Sequence, residues 1–385
     1  MNYLKEIFKD HFKELEALNP RPSIIENVIK MINCGEHENG GTMYSCDKCG
    51  NMKFVPFRCH SRFCPTCGVK YCQARSLNMS FKIINANHRH CVFTIDKDLR
   101  HFFAEDRSLL NCLFDAVNSV VTRMFHKENK SECFTPGFIC VLHTFGRDLK
   151  WNPHIHCLIS EGGIGKSNKW RNRKFFSFNF LRHAFLTALL DILETKIGPS
   201  FKKVKASNYK IHKDGFYVFA KPNECEPKNV IKYIGRYLGR PVIANSRIDS
   251  YDGNFVRFHY NRHEDDAYVE ESISAMSFIK RLIRHIPEKN FKMIRYYGIY
   301  AKHNYENDSS INHPITKEKR SVYSSFLKWR SNIFFSFGID PLKCPDCGSN
   351  MSVLEFIVNK KHFTLRDLIS NCMMNPRYLH HLNSS

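Results

Sequence analysis

Two short motifs in the middle of the sequence carry side chains that could do chemistry together. In His154-Ile155-His156, the alternation of a β-strand would place both imidazoles on one face, where they could hold a divalent ion. Further along, Tyr233 and Tyr237 are four residues apart, so a helix would present both phenols on the same face. A phenol attacks a phosphodiester well when a metal ion polarises the phosphate and cations offset the developing charge. The two motifs therefore predict metal-assisted nucleophilic attack on a phosphate.

The required cations lie in the same segment as the tyrosines. Lys232, Arg236 and Arg240 alternate with the two phenols along the predicted helix. These three side chains could contact the phosphates of a substrate beside the two phenols. The competing interpretation is that Tyr233 and Tyr237 only pack against a sheet, as amphipathic tyrosines often do.

The sixteen cysteines favour metal ligation over disulfides, because the opening residues show no export signal and a reducing compartment is expected. Their clearest pattern is Cys46-x2-Cys49-x14-Cys64-x2-Cys67. Two such knuckles can complete a tetrahedron, so we predict one structural zinc ion held by these four thiolates. Cys59 is a candidate extra ligand, whereas Cys34 and His37 are interpreted as a packing residue and a surface imidazole.

A second cysteine pair lies near the carboxyl end of the sequence. Cys344-x2-Cys347 is half of a zinc site, so two further ligands must come from elsewhere in the fold or from another subunit. The candidate donors are His362, Cys372, His380 and His381. The spacing alone does not choose among them.

The charge of the chain indicates its partner. With 58 Lys and Arg against 37 Asp and Glu among 385 residues, the formal net charge is +21 and is spread along the sequence. A broad excess of this kind is typical of proteins that bind a polyanion. Since no segment resembles a basic amphipathic anchor, or the roughly 20 apolar residues of a membrane span, we expect nucleic acid rather than a membrane. A cytoplasmic location follows as an expectation.

Hydrophobic periodicity predicts an α+β fold. Between residues 91 and 238 the strand and helix patterns follow the order β-α-β-β-α-β-α, which is typical of a ferredoxin-like antiparallel sheet packed against helices. We divide the chain into four regions. They are a helical segment at 1–33, a zinc ribbon at 34–85, a catalytic domain at 86–300 and a carboxyl-terminal region at 301–385.

With these motifs in place, the sequence resembles the rolling-circle transposases of bacterial insertion sequences, of the insertion sequence 91 type. Thr144-Phe145-Gly146 and Asn152-Pro153 precede the paired histidines as in the family's HUH signature, and Tyr233-Ile234-Gly235-Arg236-Tyr237 resembles its two-tyrosine motif. The cysteine ribbon and the stretch from Phe278 to Ala301 also resemble family segments. The four blocks occur in the same order and span roughly residues 34–350.

The resemblance implies an HUH-endonuclease fold and a strand transferase acting on single-stranded DNA of transposon ends and target. Tyr233 and Tyr237 would be the nucleophiles, leaving a 5′-phosphotyrosine and a free 3′-hydroxyl. His154 and His156 would hold Mg²⁺ or Mn²⁺, a hard cation that can also bind phosphate oxygens. For a third ligand we prefer His143, on the neighbouring strand, to Glu161.

Three alternatives stay open at this point. A plasmid replication initiator or relaxase would use the same histidines and tyrosines. A non-catalytic zinc-ribbon protein could bind single-stranded DNA with the tyrosines merely packing. The chain could also be a degenerate copy that folds but no longer moves DNA. The location implied by the resemblance is the bacterial cytoplasm, near the nucleoid, and the sequence does not specify an oligomeric state.

Overall fold

The computed structural model describes residues 2–80, 83–127, 134–165, 169–173, 175–219, 242–262 and 265–301, and then 328, 330–331, 333–334, 338–358, 360–364 and 366–367. The helices in these ranges are α1 (Tyr3–Asp10), α2 (Phe12–Ala17), α3 (Pro22–Ile32), α4 (Pro65–Ser80), α5 (Arg100–Glu105), α6 (Leu110–Lys127), α7 (Phe178–Ile197), α8 (Lys202–Ile211) and α9 (Ala275–Ile283). The strands are β1 (Gly41–Ser45), β2 (Met52–Pro56), β3 (His88–Thr94), β4 (Thr135–Phe145), β5 (Trp151–Ile164), β6 (Trp170–Asn172), β7 (Val218–Phe219), β8 (Ile248–Tyr251), β9 (Phe255–Asn261), β10 (Tyr268–Ser274), β11 (Ile294–Gly298), β12 (Ser352–Val358) and β13 (Lys361–Thr364).

The chain forms two compact units. Residues 1–74 together with 321–385 make the first, which we call the cysteine unit, and residues 75–320 make the second, the histidine unit. The division falls within α4, whereas the sequence predicted a boundary near residue 85. Strands β12 and β13 lie in the cysteine unit, so the carboxyl-terminal region contributes to the same unit as the predicted zinc ribbon.

The cysteine unit combines short helices with a ribbon-like sheet. Helix α3 begins at Pro22, whose fixed φ and missing N–H suit a first helical position. Its buried residues Ile24 and Val28 recur at helical spacing, as do Leu4 and Phe8 of α1. The sheet is antiparallel, with the strand order β13-β12-β1-β2. Strand β1 is therefore hydrogen-bonded on one side to its hairpin partner and on the other to a strand from the carboxyl-terminal region.

The histidine unit contains the predicted split β-α-β arrangement. Its main sheet has the order β11-β4-β5-β3-β7, with β6 pairing with β5, and every pairing is antiparallel. Strands β3 and β4 are joined through α6 and lie on either side of β5, which is the arrangement expected of a ferredoxin-like layer. The predicted α+β class, with antiparallel sheets and helices, is confirmed.

The two faces of this sheet have different roles. On one face, Phe93, Ile155 and Cys157 are fully buried in the core formed with α6 and α7. On the other face, Val141 and Leu158 belong to a smaller apolar cluster. Alternation along the strands separates the two sets, because adjacent residues of a strand point to opposite faces. Among the residues that the structure describes, this apolar cluster lies on one part of the second face and histidines lie on another part.

A three-stranded antiparallel sheet, in the order β10-β9-β8, precedes α9 in the histidine unit. The Ser274 hydroxyl caps α9 by accepting from the Ser277 amide, and Phe278 and Leu282 bury its apolar face. Arg281, on the same helix, donates to Glu271 of β10 at 2.6 Å.

Helix α7, with 20 residues, is the longest helix in the described ranges. It buries Phe185 and Leu189 against the sheet, while Asp191 on the opposite side pairs with Lys205 of α8 at 2.6 Å. Neither α7 nor any other helix of the described residues has the length and apolar character needed to cross a bilayer.

Candidate functional site

Three histidines meet at one end of the main sheet of the histidine unit. His143 of β4 lies directly opposite His154 of β5, and His156 follows two residues later. Each offers a ring nitrogen, and these nitrogens lie within 4.8 Å of one another. Leu142 and Ile155, which alternate with the histidines, are buried in the core on the other face. The structure thus places His154 and His156 on one face, as the alternation predicts, and brings His143 to them.

Glu161, the other residue considered as a third ligand, has a different role. It is buried and accepts from Arg89 of β3 at 2.7 Å. The Arg89 guanidinium also lies over the ring of Phe176, 4.6 Å from its centroid. The carboxylate is therefore committed to an internal ion pair rather than to the histidine cluster.

Hydrogen bonds fix how two of the imidazoles are oriented. Nδ1 of His154 donates to the Asn152 carbonyl at 2.7 Å, which directs its Nε2 into the cluster. Nδ1 of His156 lies 2.9 Å from Nε2 of His90, a residue of β3. Such second partners hold a ligating imidazole in one tautomer and one orientation. His90 was not predicted, although His88-Arg89-His90 repeats the H-x-H pattern on a neighbouring strand.

The spacing of the two Nε2 atoms suits a single divalent ion. They lie 3.1 Å apart. Two ligands about 2.1 Å from one ion, at the right angle of octahedral coordination, are separated by about 3.0 Å. The cluster contains no carboxylate among the residues that the structure describes. The donors from the described residues are therefore all imidazole nitrogens, and a hard cation bound to them could also bind phosphate oxygens.

Burial keeps the His156 imidazole in the neutral form that binds metal. Desolvation, with a smaller contribution from the neighbouring histidines, holds the pKa of His156 well below its ordinary value. Burial likewise lowers the pKa of His90 to about 3. Both rings are therefore neutral near pH 7, and a metal ion binding to Nε2 of His156 would not have to compete with protonation of that ring.

The loop between β4 and β5, which connects the two ligand strands, is braced from α9. His285 follows that helix and is buried, with Nδ1 3.1 Å from the Thr144 hydroxyl and Nε2 donating to the Leu149 carbonyl at 2.9 Å. Burial lowers the pKa of His285 to about 4. Arg281 also donates to the Asp148 carbonyl at 3.4 Å. The hairpin that presents the histidines is thereby held at its turn.

The remaining predicted site residues of this unit lie outside the described residues. They are Lys232, Tyr233, Arg236, Tyr237 and Arg240. Their predicted roles stay predictions.

In the part of the chain that the structure describes, the cysteines of the predicted zinc site belong to two clusters rather than to one set. The first consists of Cys34, Cys59, Cys64 and Cys67, and the second of Cys46, Cys49, Cys344 and Cys347. The structure thus corrects the grouping of Cys46 and Cys49 with Cys64 and Cys67. The physical reason is that β1 pairs with β12, which brings the first knuckle to the carboxyl-terminal one instead.

The first cluster lies where two helix ends meet. Cys34 follows α3, while Cys64 and Cys67 flank the start of α4, and the Sγ atoms of Cys34 and Cys67 are 3.6 Å apart. Tetrahedral thiolates about 2.3 Å from zinc lie about 3.8 Å apart, whereas a disulfide needs about 2 Å. Cys34, interpreted from the sequence as a packing residue, therefore belongs with the metal-binding candidates, and Cys59 joins it.

Two protein-family models match this sequence, one over the amino-terminal cysteines and one over the histidines. The family model "Transposase zinc-binding domain" matches residues 7–95, which include all of the first cysteine cluster. The family model "Putative transposase" matches residues 137–308, which include the three histidines and both tyrosines. No solved structure matches the chain.

Two curated proteins are similar over most of the chain. One is the transposase for insertion sequence element IS801 of Pseudomonas savastanoi pv. phaseolicola, 28% identical over 364 residues, which cover 88% of this chain and 85% of that protein. The other, "Putative transposase y4qJ" of Sinorhizobium fredii, is 28% identical over 279 residues, or 67% of this chain and 70% of that protein. Fold, site and comparisons together define a transposase with an amino-terminal zinc-binding domain. The chain belongs to the insertion sequence 91 family of these enzymes.

Proposed function

We propose that this transposase cleaves and rejoins single-stranded DNA at the ends of its element, by rolling-circle-type transposition through a 5′-phosphotyrosine intermediate. The observation that carries the proposal is the convergence of His143, His154 and His156 on one face of the main sheet. Mg²⁺ or Mn²⁺ bound there would polarise the scissile phosphate and offset the charge that develops on its oxygens.

The protein's own contribution at this centre is orientation. The Asn152 carbonyl and His90 hold the rings of His154 and His156, so that both Nε2 atoms face the same point before an ion arrives. When the ligand side chains are already oriented, binding of the ion does not carry the entropic cost of ordering them. Neutral imidazoles suit this role, and the low pKa of His156 keeps its ring neutral.

The chemical step is assigned to Tyr233 and Tyr237. In the first transfer a phenolic oxygen forms a bond to phosphorus and loses its proton, and the bond from phosphorus to the 3′-oxygen breaks. The products are a 5′-phosphotyrosine and a free 3′-hydroxyl, which takes up a proton. The second phenol acts in the later strand-transfer step. Lys232, Arg236 and Arg240 are proposed to contact the DNA phosphates beside the tyrosines.

Single-stranded DNA is the proposed substrate because the resemblance of the paired histidines and paired tyrosines to those of rolling-circle transposases implies it. The net charge of +21 supports binding to a polyanion, and such binding weakens as salt is raised. The targets are the strands at the transposon ends and at the insertion site.

The test is formation of a covalent adduct. Purified protein is incubated with single-stranded oligonucleotides from the DNA flanking its gene, with Mn²⁺ or with a chelator, and the products are separated on a denaturing gel. We expect an adduct that requires the ion and disappears in the Tyr233→Phe, Tyr237→Phe double variant. Tyr209→Phe, at an exposed position of α8, is the matched control and should retain the adduct. Tight binding without any adduct, independent of metal, would contradict the proposal and favour a binding protein.

A further inference from the structure

The second cysteine cluster joins two turns of the same construction. Cys46-Asp47-Lys48-Cys49-Gly50 and Cys344-Pro345-Asp346-Cys347-Gly348 both follow the pattern Cys-x-x-Cys-Gly. In each turn the glycine adopts positive φ, 73° at Gly50 and 69° at Gly348, which only glycine adopts readily. Two segments remote in sequence thus present a pair of thiols in the same way.

The hydrogen bonds of the two turns also correspond. The Gly50 amide donates to the Cys46 carbonyl at 2.9 Å, and the Gly348 amide donates to the Cys344 carbonyl at 3.0 Å. The first cysteine of each turn donates its own amide to a carbonyl five residues later, that of Asn51 or Ser349, at 2.9 Å in both cases. This closed turn holds two sulfurs on one side, which is the geometry that a knuckle supplies to zinc.

The sulfurs of the two turns face each other in crossed pairs. Sγ of Cys46 lies 3.5 Å from that of Cys347, and Sγ of Cys49 lies 3.5 Å from that of Cys344. These separations are too long for disulfides and close to the edge of a zinc–thiolate tetrahedron, about 3.8 Å. Cys46 and Cys344 are buried, so a bound ion would be shielded on one side.

We infer that Cys46, Cys49, Cys344 and Cys347 form a second structural zinc site, separate from the one at Cys34, Cys59, Cys64 and Cys67. The match to the transposase zinc-binding domain ends at residue 95, so it contains only half of the ligands of this site. Residues 338–364, which lie beyond both family matches, supply the other half. The protein therefore binds two zinc ions per chain.

Hydrogen bonds between the two turns hold the four thiols in a defined arrangement. Asn51 beside the first turn donates to Asp346 in the second at 2.5 Å, and Ser352 beside the second turn donates to Asp47 in the first at 3.0 Å. Lys53 of β2 donates to the Lys343 carbonyl at 3.1 Å. Together with the β1–β12 pairing, these bonds fix the register of the two turns.

The site closes an unusually long segment of chain. Cys49 and Cys344 are 295 residues apart in sequence, and the histidine unit lies between them. Bringing such distant segments together carries an entropic cost, which a metal bound to both can offset. The bound ion would thus keep strand β12 paired with strand β1, whereas the hydrogen bonds between the two strands alone would break and re-form.

The test is a count of zinc ions and a map of the cysteines that each protects. Native mass spectrometry of the full chain should give two zinc ions. Partial removal with a chelator, followed by alkylation and peptide mapping, should give molecules that retain one zinc and carry four new alkyl groups. We expect those four to be either Cys46, Cys49, Cys344 and Cys347 or Cys34, Cys59, Cys64 and Cys67. A single zinc, or four alkyl groups on Cys46, Cys49, Cys64 and Cys67, would overturn the proposal.

Variants give a second measurement on the intact chain. The Cys344→Ser, Cys347→Ser double variant should retain one zinc and should leave Cys46 and Cys49 open to alkylation while the first cluster stays protected. Cys72→Ser is the matched control, since Cys72 lies in α4 outside both clusters, and should retain two zinc ions. Two zinc ions in the double variant would contradict the assignment.

Discussion

Nε2 of His90 lies 2.9 Å from Nδ1 of His156, and the two imidazole rings are parallel to within 2°. His90 does not belong to the group of three histidines formed by His143, His154 and His156. Its contact nevertheless holds the orientation of the His156 ring. Its pKa of about 3, lowered by burial, keeps it neutral, so that its Nε2 can accept a hydrogen bond from Nδ1–H of His156. The orientation of one candidate ligand therefore depends on a residue of a third strand.

We expect His90→Ala to weaken binding of the catalytic ion by about 10- to 100-fold, because loss of an orienting partner lets the ligand ring rotate. The measurement is the Mn²⁺ concentration that gives half-maximal adduct formation. His101→Ala, at an exposed position of α5, should leave this concentration unchanged. An unchanged Mn²⁺ dependence in His90→Ala would show that His90 has only a packing role.

His154→Ala should abolish cleavage while DNA binding is retained, because the imidazole is assigned to the ion and not to the nucleic acid. Oligonucleotide affinity by fluorescence anisotropy and adduct formation on denaturing gels should be measured on the same preparation. Parallel loss of binding and cleavage would instead indicate that His154 is needed for folding.

The two single tyrosine variants, Tyr233→Phe and Tyr237→Phe, should have different defects, since each phenol is assigned to a different transfer. One should lose the first cleavage, and the other should cleave but fail to transfer the strand. The readout is the ratio of covalent adduct to joined product. If both single variants retain full strand transfer and only the double variant fails, the phenols are interchangeable.

Glu161→Ala should lower the free energy of unfolding by about 3–5 kcal/mol, because it leaves the buried Arg89 without its carboxylate partner. Urea unfolding followed by circular dichroism measures this effect. A matched exposed pair is available at Lys30 and Glu26 of α3, where Glu26→Ala should cost less than about 1 kcal/mol. Weaker Mn²⁺ binding by folded Glu161→Ala protein would make Glu161 a ligand after all.

His285 should make stability depend on pH. Its pKa is about 4 in the folded protein, against about 6.5 when unfolded, so the unfolded chain takes up the proton first as the pH falls. The stabilisation is complete above pH 6.5 and declines between pH 6.5 and 4, by about 3 kcal/mol in total. In urea titrations at several pH values, the slope of the free energy of unfolding against pH should be smaller in His285→Gln by the contribution of about one proton. An identical slope in the variant would show that His285 is already protonated when folded.

The sequence could predict the parts of the fold that depend on local patterns. Alternation placed Ile155 in the core and His154 and His156 on the other face, and the β-α-β-β-α-β order gave the arrangement of β3, β4 and β5. Those features follow from periodicities of a few residues. His90 was missed because its contact requires knowing that β3 lies next to β5, which the order of elements suggests but the motif does not.

The partition of the cysteines could not be predicted from spacing. Cys46 and Cys49 are close in sequence to Cys64 and Cys67, and a single four-cysteine site was the simpler solution. The actual partners of Cys46 and Cys49 are fixed by the pairing of β1 with β12, a contact between opposite ends of the chain. Cys34 was missed for a related reason, since only the meeting of α3 with the start of α4 brings it to Cys67.

The pairing of β1 with β12 also has a consequence for synthesis of the protein. A ribosome makes Gly41–Ser45 early but must translate the whole histidine unit before Ser352–Val358 emerges. The histidine unit can therefore fold while the ribbon is still unfinished. A gene copy interrupted after residue 320 would encode every residue of the histidine unit and none of the strands that complete the ribbon.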